Sequence, residues 1–139
     1  MNYKRCGNKV FVRIDKGEEI VDSLKTICKN LNITLGTITG IGATNKLTIG
    51  IFHTTTKTYQ TKELTGDHEI VPLTGLITTM KGEPYLHLHI NVCNEEQKSF
   101  GGHLTSAIVS VTFEGVIDCI QGTVDRVADH TTGVNLLQL

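Results

Sequence analysis

Residues 85–92 read Tyr85-Leu86-His87-Leu88-His89-Ile90-Asn91-Val92, an alternation of aliphatic and polar side chains. Successive side chains of a β-strand point to opposite faces, so the pattern predicts a strand whose four aliphatic residues face a core. The two histidines then share the other face, with Cα atoms about 7 Å apart. Both imidazoles can lean onto one metal ion at about 2.0–2.1 Å, so the segment predicts two metal ligands.

A third histidine follows in Gly101-Gly102-His103-Leu104. Two glycines permit a tight backbone path, and the polar stretch 94–100 is short enough for a hairpin that returns His103 over the preceding strand. Three imidazoles with an open position are typical of catalytic zinc sites, whereas structural zinc sites usually have four protein ligands and favour cysteine. The alternative is that His87 and His89 are ordinary solvated side chains of an exposed strand face.

Two glutamates are candidates for acid–base chemistry beside such a metal. Glu114 shares the face of Ser110 and Thr112 in the predicted strand, where a carboxylate could orient a metal ligand or carry a proton. Glu83, just before the histidine strand, is the second candidate. The alternative for Glu114 is an exposed strand residue with no chemical role.

One helix is predicted, over residues 18–31. Its apolar face carries Ile20, Leu24, Ile27, Cys28 and Leu31 at helical spacing. Asp15 and Glu18 form a D-x-x-E pattern that resembles a capping box and predicts the helix start.

Most of the remaining chain is rich in Thr, Ile and Val, with glycine interruptions, and predicts β-structure. Strands are expected near residues 10–14, 35–52, 57–63, 68–80, 85–93, 107–120 and 134–138, with loops at 65–67, 81–84 and 94–97. One helix beside many strands predicts an α+β fold, mainly an antiparallel sheet or partial barrel with that helix packed on it. The length of 139 residues fits a single domain over 1–139.

Composition limits the possible partners. The 13 basic and 14 acidic residues give a formal net charge of −1, without the basic excess of a domain that grips DNA by itself. The three arginines are Arg5, Arg13 and Arg126, and the sequence does not assign any of them to the histidine site. No apolar signal segment follows the start and no apolar run approaches a membrane span, so a cytoplasmic protein with reduced cysteines and no membrane association is expected.

The order and spacing of these motifs resemble the PPC (plants-and-prokaryotes-conserved) domain almost end to end. The matching pieces are residues 13–20, 36–43, 63–64, 73–75, 82–89, 101–104 and 129–133, together with Glu114. The resemblance implies a homotrimer and a zinc ion, or a similar divalent metal ion, held by His87, His89 and His103. The fold is also similar to that of acetolactate decarboxylase, a zinc enzyme. The AT-hook segment that contacts DNA in plant relatives has no counterpart in this sequence.

Three functions therefore compete. The first is a trimeric zinc-binding protein that acts as a regulatory or DNA-associated module. The second is a zinc-dependent lyase or hydrolase that acts on a small oxo acid bound at the metal. Direct DNA binding is the third, and the charge does not favour it. For the trimer, the apolar residues available to an interface are Ile49, Ile51, Leu76 and Ile77, which could equally belong to the core of one chain.

Overall fold

A computed structural model describes residues 1–139 and contains eight strands and one helix. In chain order they are β1 (Asn2–Cys6), β2 (Lys9–Asp15), α1 (Ile20–Asn30), β3 (Gly36–His53), β4 (Thr58–Met80), β5 (Glu83–Asn94), β6 (Ser99–Cys119), β7 (Asp125–Ala128) and β8 (Asn135–Gln138). Six strands form one antiparallel sheet in the order β1-β2-β6-β3-β4-β5. Strand β6 also pairs with β5, which bends the sheet into a partial ring. The α+β prediction is confirmed.

The C-terminal strands β7 and β8 form a separate antiparallel hairpin. The hairpin is attached to the main sheet where the backbone N–H of Thr79 donates to the carbonyl of Val124 at 3.1 Å. The single helix is too short and too polar to cross a membrane.

The helix begins later than its sequence pattern indicates. Its N-cap is Glu19, whose side chain accepts the backbone N–H of Asp22 at 2.7 Å. The D-x-x-E pair does interact, since the Glu18 carboxylate accepts the backbone N–H of Asp15 at 2.8 Å. That contact closes a turn before the helix, because Glu19 is still extended at φ −91° and ψ 130°. The predicted start at residue 18 is therefore two residues early.

The predicted strands 57–63 and 68–80 are one continuous strand, and the predicted loop at 65–67 is wrong. Gly66, at φ +92°, lies where the pairing of β4 with β3 shifts register. A β-bulge tolerates such a residue without ending the strand. Strand β6 likewise begins earlier than predicted, and β1 and β7 were not predicted.

The core lies between the inner face of the sheet and α1. The predicted core face of β5 is confirmed, because Leu88, Ile90 and Val92 are buried and Leu86 is partly buried. Phe113 of β6 is fully buried in the same cluster. The opposite face of β5, which carries His87 and His89, therefore looks away from the core.

This opposite side of the sheet is called the outer face here. Across it, register pairs join Phe11 to Val116, Val116 to Thr39, Thr39 to Thr74, and Thr74 to His89. Beside this row Ile41 is 62% exposed, and Phe11 itself is 53% exposed. No element of the chain covers these apolar side chains.

The four apolar residues proposed for an interface divide into two pairs. Ile49 and Ile77 are 8% and 1% exposed and belong to the core of the chain. Ile51 and Leu76 are 63% and 37% exposed. Only the second pair is available to a partner.

Candidate metal centre

Strand pairing brings the three histidines together. Strands β5 and β6 form an antiparallel pair in which His89 is the register partner of His103. The connecting turn, residues 95–98, overlaps the predicted loop at 94–97, and the predicted hairpin return of His103 is confirmed. Gly102 is required by close packing here, because a Cβ atom at this position would lie 2.7 Å from the carbonyl oxygen of Gly50. A larger residue would push β6 away from β3 and move His103 with it.

The imidazole rings form a compact triangle. Ring centroids are 5.2 Å apart for His87 and His89, 5.5 Å for His87 and His103, and 5.7 Å for His89 and His103. One ligand nitrogen from each ring lies within 4.8 Å of the other two. Nitrogens bound to one zinc ion at about 2.1 Å are at most about 4.2 Å apart, so small side-chain rotations suffice for coordination. The three predicted histidines thus form one cluster that could hold a metal ion.

Burial prepares two of these rings to act as ligands. It is the main cause that lowers the pKa of His87, with His89, Arg126 and His103 adding electrostatic repulsion. Burial, followed by repulsion from His89, also lowers the pKa of His103. A metal binds neutral imidazole, so a lowered pKa favours the binding form at neutral pH. Nδ1 of His103 is buried without a hydrogen-bond partner, an unsatisfied position that fits a site completed by a metal ion.

A cavity of about 580 Å³ adjoins the three histidines. The main sheet contributes Tyr59, Leu76 and Tyr85 to its wall, and the ring of Tyr59 lies 5.4 Å from that of His103. The C-terminal segment contributes Arg126, Gly133, Val134, Asn135, Leu136 and Leu137. A volume in this range suits a small organic ligand. None of the lining residues is an aspartate or glutamate.

Comparison with known proteins identifies the family of the chain. The model of the Plants and Prokaryotes Conserved (PCC) domain matches residues 1–120. The chain belongs to this family. The resemblance expected from the His-x-His and Gly-Gly-His motifs is confirmed. A comparison with curated proteins gave no match.

Three solved structures show the same fold as this PCC domain. A Bacteroides thetaiotaomicron protein, provisionally named as DNA-binding, is 38% identical, with a TM-score of 0.96 and coverage of 99% of this chain and 96% of its own. A Pyrococcus horikoshii plant- and prokaryote-conserved protein is 30% identical, with a TM-score of 0.87 and coverage of 99% and 94%. A metal-containing protein of Archaeoglobus fulgidus is 26% identical, with a TM-score of 0.88 and coverage of 100% and 99%.

Arg126 is the residue at the centre that the sequence did not place there. It lies beyond the 120 residues that match the PCC family model, on β7. Its guanidinium is packed over the ring of Tyr85 at 4.7 Å from the ring centroid. The missing information was the packing of the hairpin against β4, which no local pattern specifies. The only local signal was an isolated arginine in a segment where no strand was predicted.

The two candidate carboxylates lie elsewhere in the PCC domain. Glu114 is exposed on the outer face, where it is the register partner of Arg13 and Ile41. The carboxylate of Glu83 is 2.6 Å from Nζ of Lys29. Neither residue lines the cavity beside the histidines, so the geometry of one chain does not support an acid–base role there for either.

Proposed function

We propose that this PCC domain binds one divalent transition-metal ion, zinc in the first place, through His87, His89 and His103. The observation that carries the proposal is the convergence of three imidazole nitrogens within 4.8 Å. The metal content of the Archaeoglobus fulgidus relative supports it. Imidazole ligands suit zinc, copper, iron and nickel, and three of them without a cysteine match the donor set of known catalytic zinc sites.

Such a centre would function as a ligand-binding module. A zinc ion held by three histidines supplies a Lewis acid with room for a further ligand. The chain itself supplies the cavity of about 580 Å³ beside the histidines and a wall from the C-terminal hairpin. We infer a metal-dependent regulatory module that responds to a small molecule.

Zinc titration of metal-free protein tests this function. The expected result is one tight site per chain, measured by competition with a chromogenic chelator. His89→Ala should abolish that site. His53→Ala is the matched control, because His53 is exposed on β3, is hydrogen-bonded through Nε2 to Gln60 at 2.7 Å and is not a member of the cluster. Equal zinc binding by wild type and His89→Ala would contradict the proposal.

A zinc-dependent lyase or hydrolase acting on a small oxo acid is the second candidate. The cavity favours it, since a substrate could lie directly beside the metal ligands. The cavity wall contains no carboxylate. The hydroxyl groups of Tyr59 and Tyr85 are therefore the candidates for moving a proton. Turnover of small oxo acids by zinc-loaded wild type, absent in His89→Ala, would establish this function.

We also propose that the domain acts as a homotrimer. The support is the outer face, where Phe11 and Ile41 are more than half exposed beside a shallow cavity of about 640 Å³. Contiguous exposed apolar surface of this kind is typical of protein interfaces.

Direct DNA binding is less favoured for this chain. The similar proteins from Bacteroides thetaiotaomicron and Ralstonia eutropha have provisional names that describe them as DNA-binding. A formal net charge of −1 provides little of the phosphate neutralisation on which such binding depends. A gel-shift titration at several salt concentrations tests this ranking. Tight binding that weakens steeply with salt would reverse it.

A further inference from the structure

Arg126 is a buried cation held in a fixed position. Its side chain is only 7% exposed. Nε donates to the hydroxyl of Thr78 at 2.9 Å, and Nη1 donates to the carbonyl of Asn135 at 2.8 Å. These two bonds and the packing on Tyr85 fix the plane of the guanidinium at the wall of the cavity. The Arg126 side chain is therefore preorganised, and binding a ligand would cost it little further conformational entropy.

The charge of this guanidinium has no counterion. Arg126 takes part in none of the ion pairs of the chain, and its Nη2 is buried without a hydrogen-bond partner. Burying an unpaired charge is costly, and neutral oxygens with one aromatic ring compensate it only in part. An anion in the adjoining cavity would supply the missing charge.

The neighbouring histidines strengthen the case for an anion. Arg126 is close enough to His87 to disfavour positive charge on that ring. A metal ion at the three histidines would place a second cation in the same cavity, whose wall contains no acidic residue. Two cations beside one cavity repel each other, and no protein carboxylate lies there to offset the repulsion. A negatively charged ligand between them would do so. The arrangement therefore selects for an anion.

The cavity wall also specifies the rest of this ligand. Leu76, Val134, Leu136 and Leu137 add apolar wall to the cavity. Two of them adjoin its charged groups, because Leu76 is the register partner of His87 and Leu137 is that of Arg126. An inorganic anion would leave this apolar surface unused, whereas an organic acid has a carbon chain that can cover it. We propose that Arg126 binds the carboxylate of a small organic acid, whose apolar part lies against the hairpin. The assignment deepens the proposed metal site and rests on it for the second cation.

The inference is tested on the wild-type protein by nuclear magnetic resonance. The chain has three arginines, so its side-chain Nε–Hε spectrum contains three signals, with Arg5 and Arg13 as internal controls. Pyruvate is the probe, and methyl pyruvate is its uncharged counterpart of similar shape. We expect pyruvate to shift the Arg126 signal of zinc-loaded protein and leave the other two unchanged. An equal response to methyl pyruvate, or none to pyruvate, would overturn the assignment.

Calorimetry of variants provides the second measurement. Arg126→Met should weaken pyruvate binding about tenfold or more, as expected for the loss of one charge-assisted contact. Arg13→Met is the matched control, because Arg13 is exposed on the outer face, and it should bind as wild type does. Unchanged affinity in Arg126→Met would show that Arg126 only holds the hairpin in place. Phosphate binding tighter than pyruvate binding would overturn the carboxylate class.

Failure of this inference can be told apart from failure of the metal site. If the protein binds no zinc but pyruvate still shifts the Arg126 signal, the anion site stands and the metal proposal fails. If zinc binds at the histidines and pyruvate affects neither the Arg126 signal nor calorimetry, the anion site fails and the metal proposal stands.

Discussion

His89 and His103 are direct register partners across the β5–β6 pair, and their imidazole rings lie 5.7 Å apart with planes at 90°. The same pairing closes the sheet into a partial ring. The third ring, on His87, is one pleat away on β5. The contact that closes the fold is therefore also the contact that assembles the candidate metal centre, so the two should respond to the same perturbations.

Metal should stabilise the fold through this contact. A ligand that binds only the folded state at a free concentration 100 times its Kd adds about 2.7 kcal/mol to the free energy of unfolding. We expect zinc to raise the Tm of wild type and of His53→Ala in a concentration-dependent way, measured by calorimetry. His89→Ala should show no such rise. A similar rise in all three proteins would mean that zinc binds elsewhere.

The metal ion should be released at a lower pH than it would be from three histidines with unshifted pKa values. Burial lowers the pKa of both His87 and His103, so protons compete less well with the metal for these rings. Zinc occupancy should therefore persist below about pH 6.5, the ordinary histidine pKa, and fall at more acidic pH. Occupancy measured by equilibrium dialysis across pH 4–8 checks this, and loss centred at or above about pH 6.5 would contradict it.

The metal-free protein should lose stability in the same pH range. The folded-state pKa values of these two histidines lie below those of the unfolded chain, so the unfolded chain binds more protons there. Their stabilising contribution is present above the unfolded pKa and is lost as the pH falls towards the folded pKa. Urea unfolding at several pH values should show this loss, and it should be smaller in the double variant His87→Ala/His103→Ala.

Gly75 controls the position of the histidine strand. A Cβ atom at this position would lie 2.2 Å from the carbonyl oxygen of His87, a backbone atom that cannot rotate away. Gly75→Ala should therefore lower the free energy of unfolding by about 1–3 kcal/mol and weaken zinc binding at the same time. Thr74→Ala, on the outer face beside it, is the control and should affect both less. Chemical denaturation and zinc titration of both variants provide the measurements.

Cys28 should be unreactive in the folded protein. Burial, with a smaller contribution from Cys119, raises the pKa of its thiol to about 12, so almost no thiolate is present at neutral pH. Cys6 is exposed on β1. Iodoacetamide should modify Cys6 first and Cys28 only after denaturation, as followed by peptide mass spectrometry. Rapid labelling of Cys28 in native protein would contradict the packing of α1 on the sheet.

The proposed trimer should depend on the outer face. Ile41→Asp places a charge where the side chain is 62% exposed, so the folded monomer should tolerate it while an apolar interface should not. Light scattering should show a trimer for wild type and a monomer for this variant. Lys62→Asp, an exposed change on β4 away from this face, is the control. A wild-type monomer would refute the trimer.

The sequence was most informative where its pattern was local and complete. Alternation along residues 85–92 predicted which face of β5 is buried, and the His-x-His and Gly-Gly-His motifs predicted the three clustered rings. Both predictions need only the two-residue period of a strand and one hairpin return. The pairing partner of each strand was not predictable in this way.

The errors arose where tertiary contacts override local signals. Thr65-Gly66-Asp67 is typical of a turn, but β3 continues to pair with β4 past it, so the segment is a bulge within a strand. Arg126 reaches the cavity only because the β7–β8 hairpin is held against β4. The positions of Glu83 and Glu114 depend equally on strand order, which the face of a strand does not reveal.

Metal content is the most direct test of the proposed centre. Untagged protein purified without added metal should be measured by inductively coupled plasma mass spectrometry beside the variant His87→Ala/His89→Ala/His103→Ala. We expect about one zinc or similar divalent ion per chain in the wild type and none in the variant. Absence of metal from both proteins, even after zinc has been added, would contradict the proposed centre.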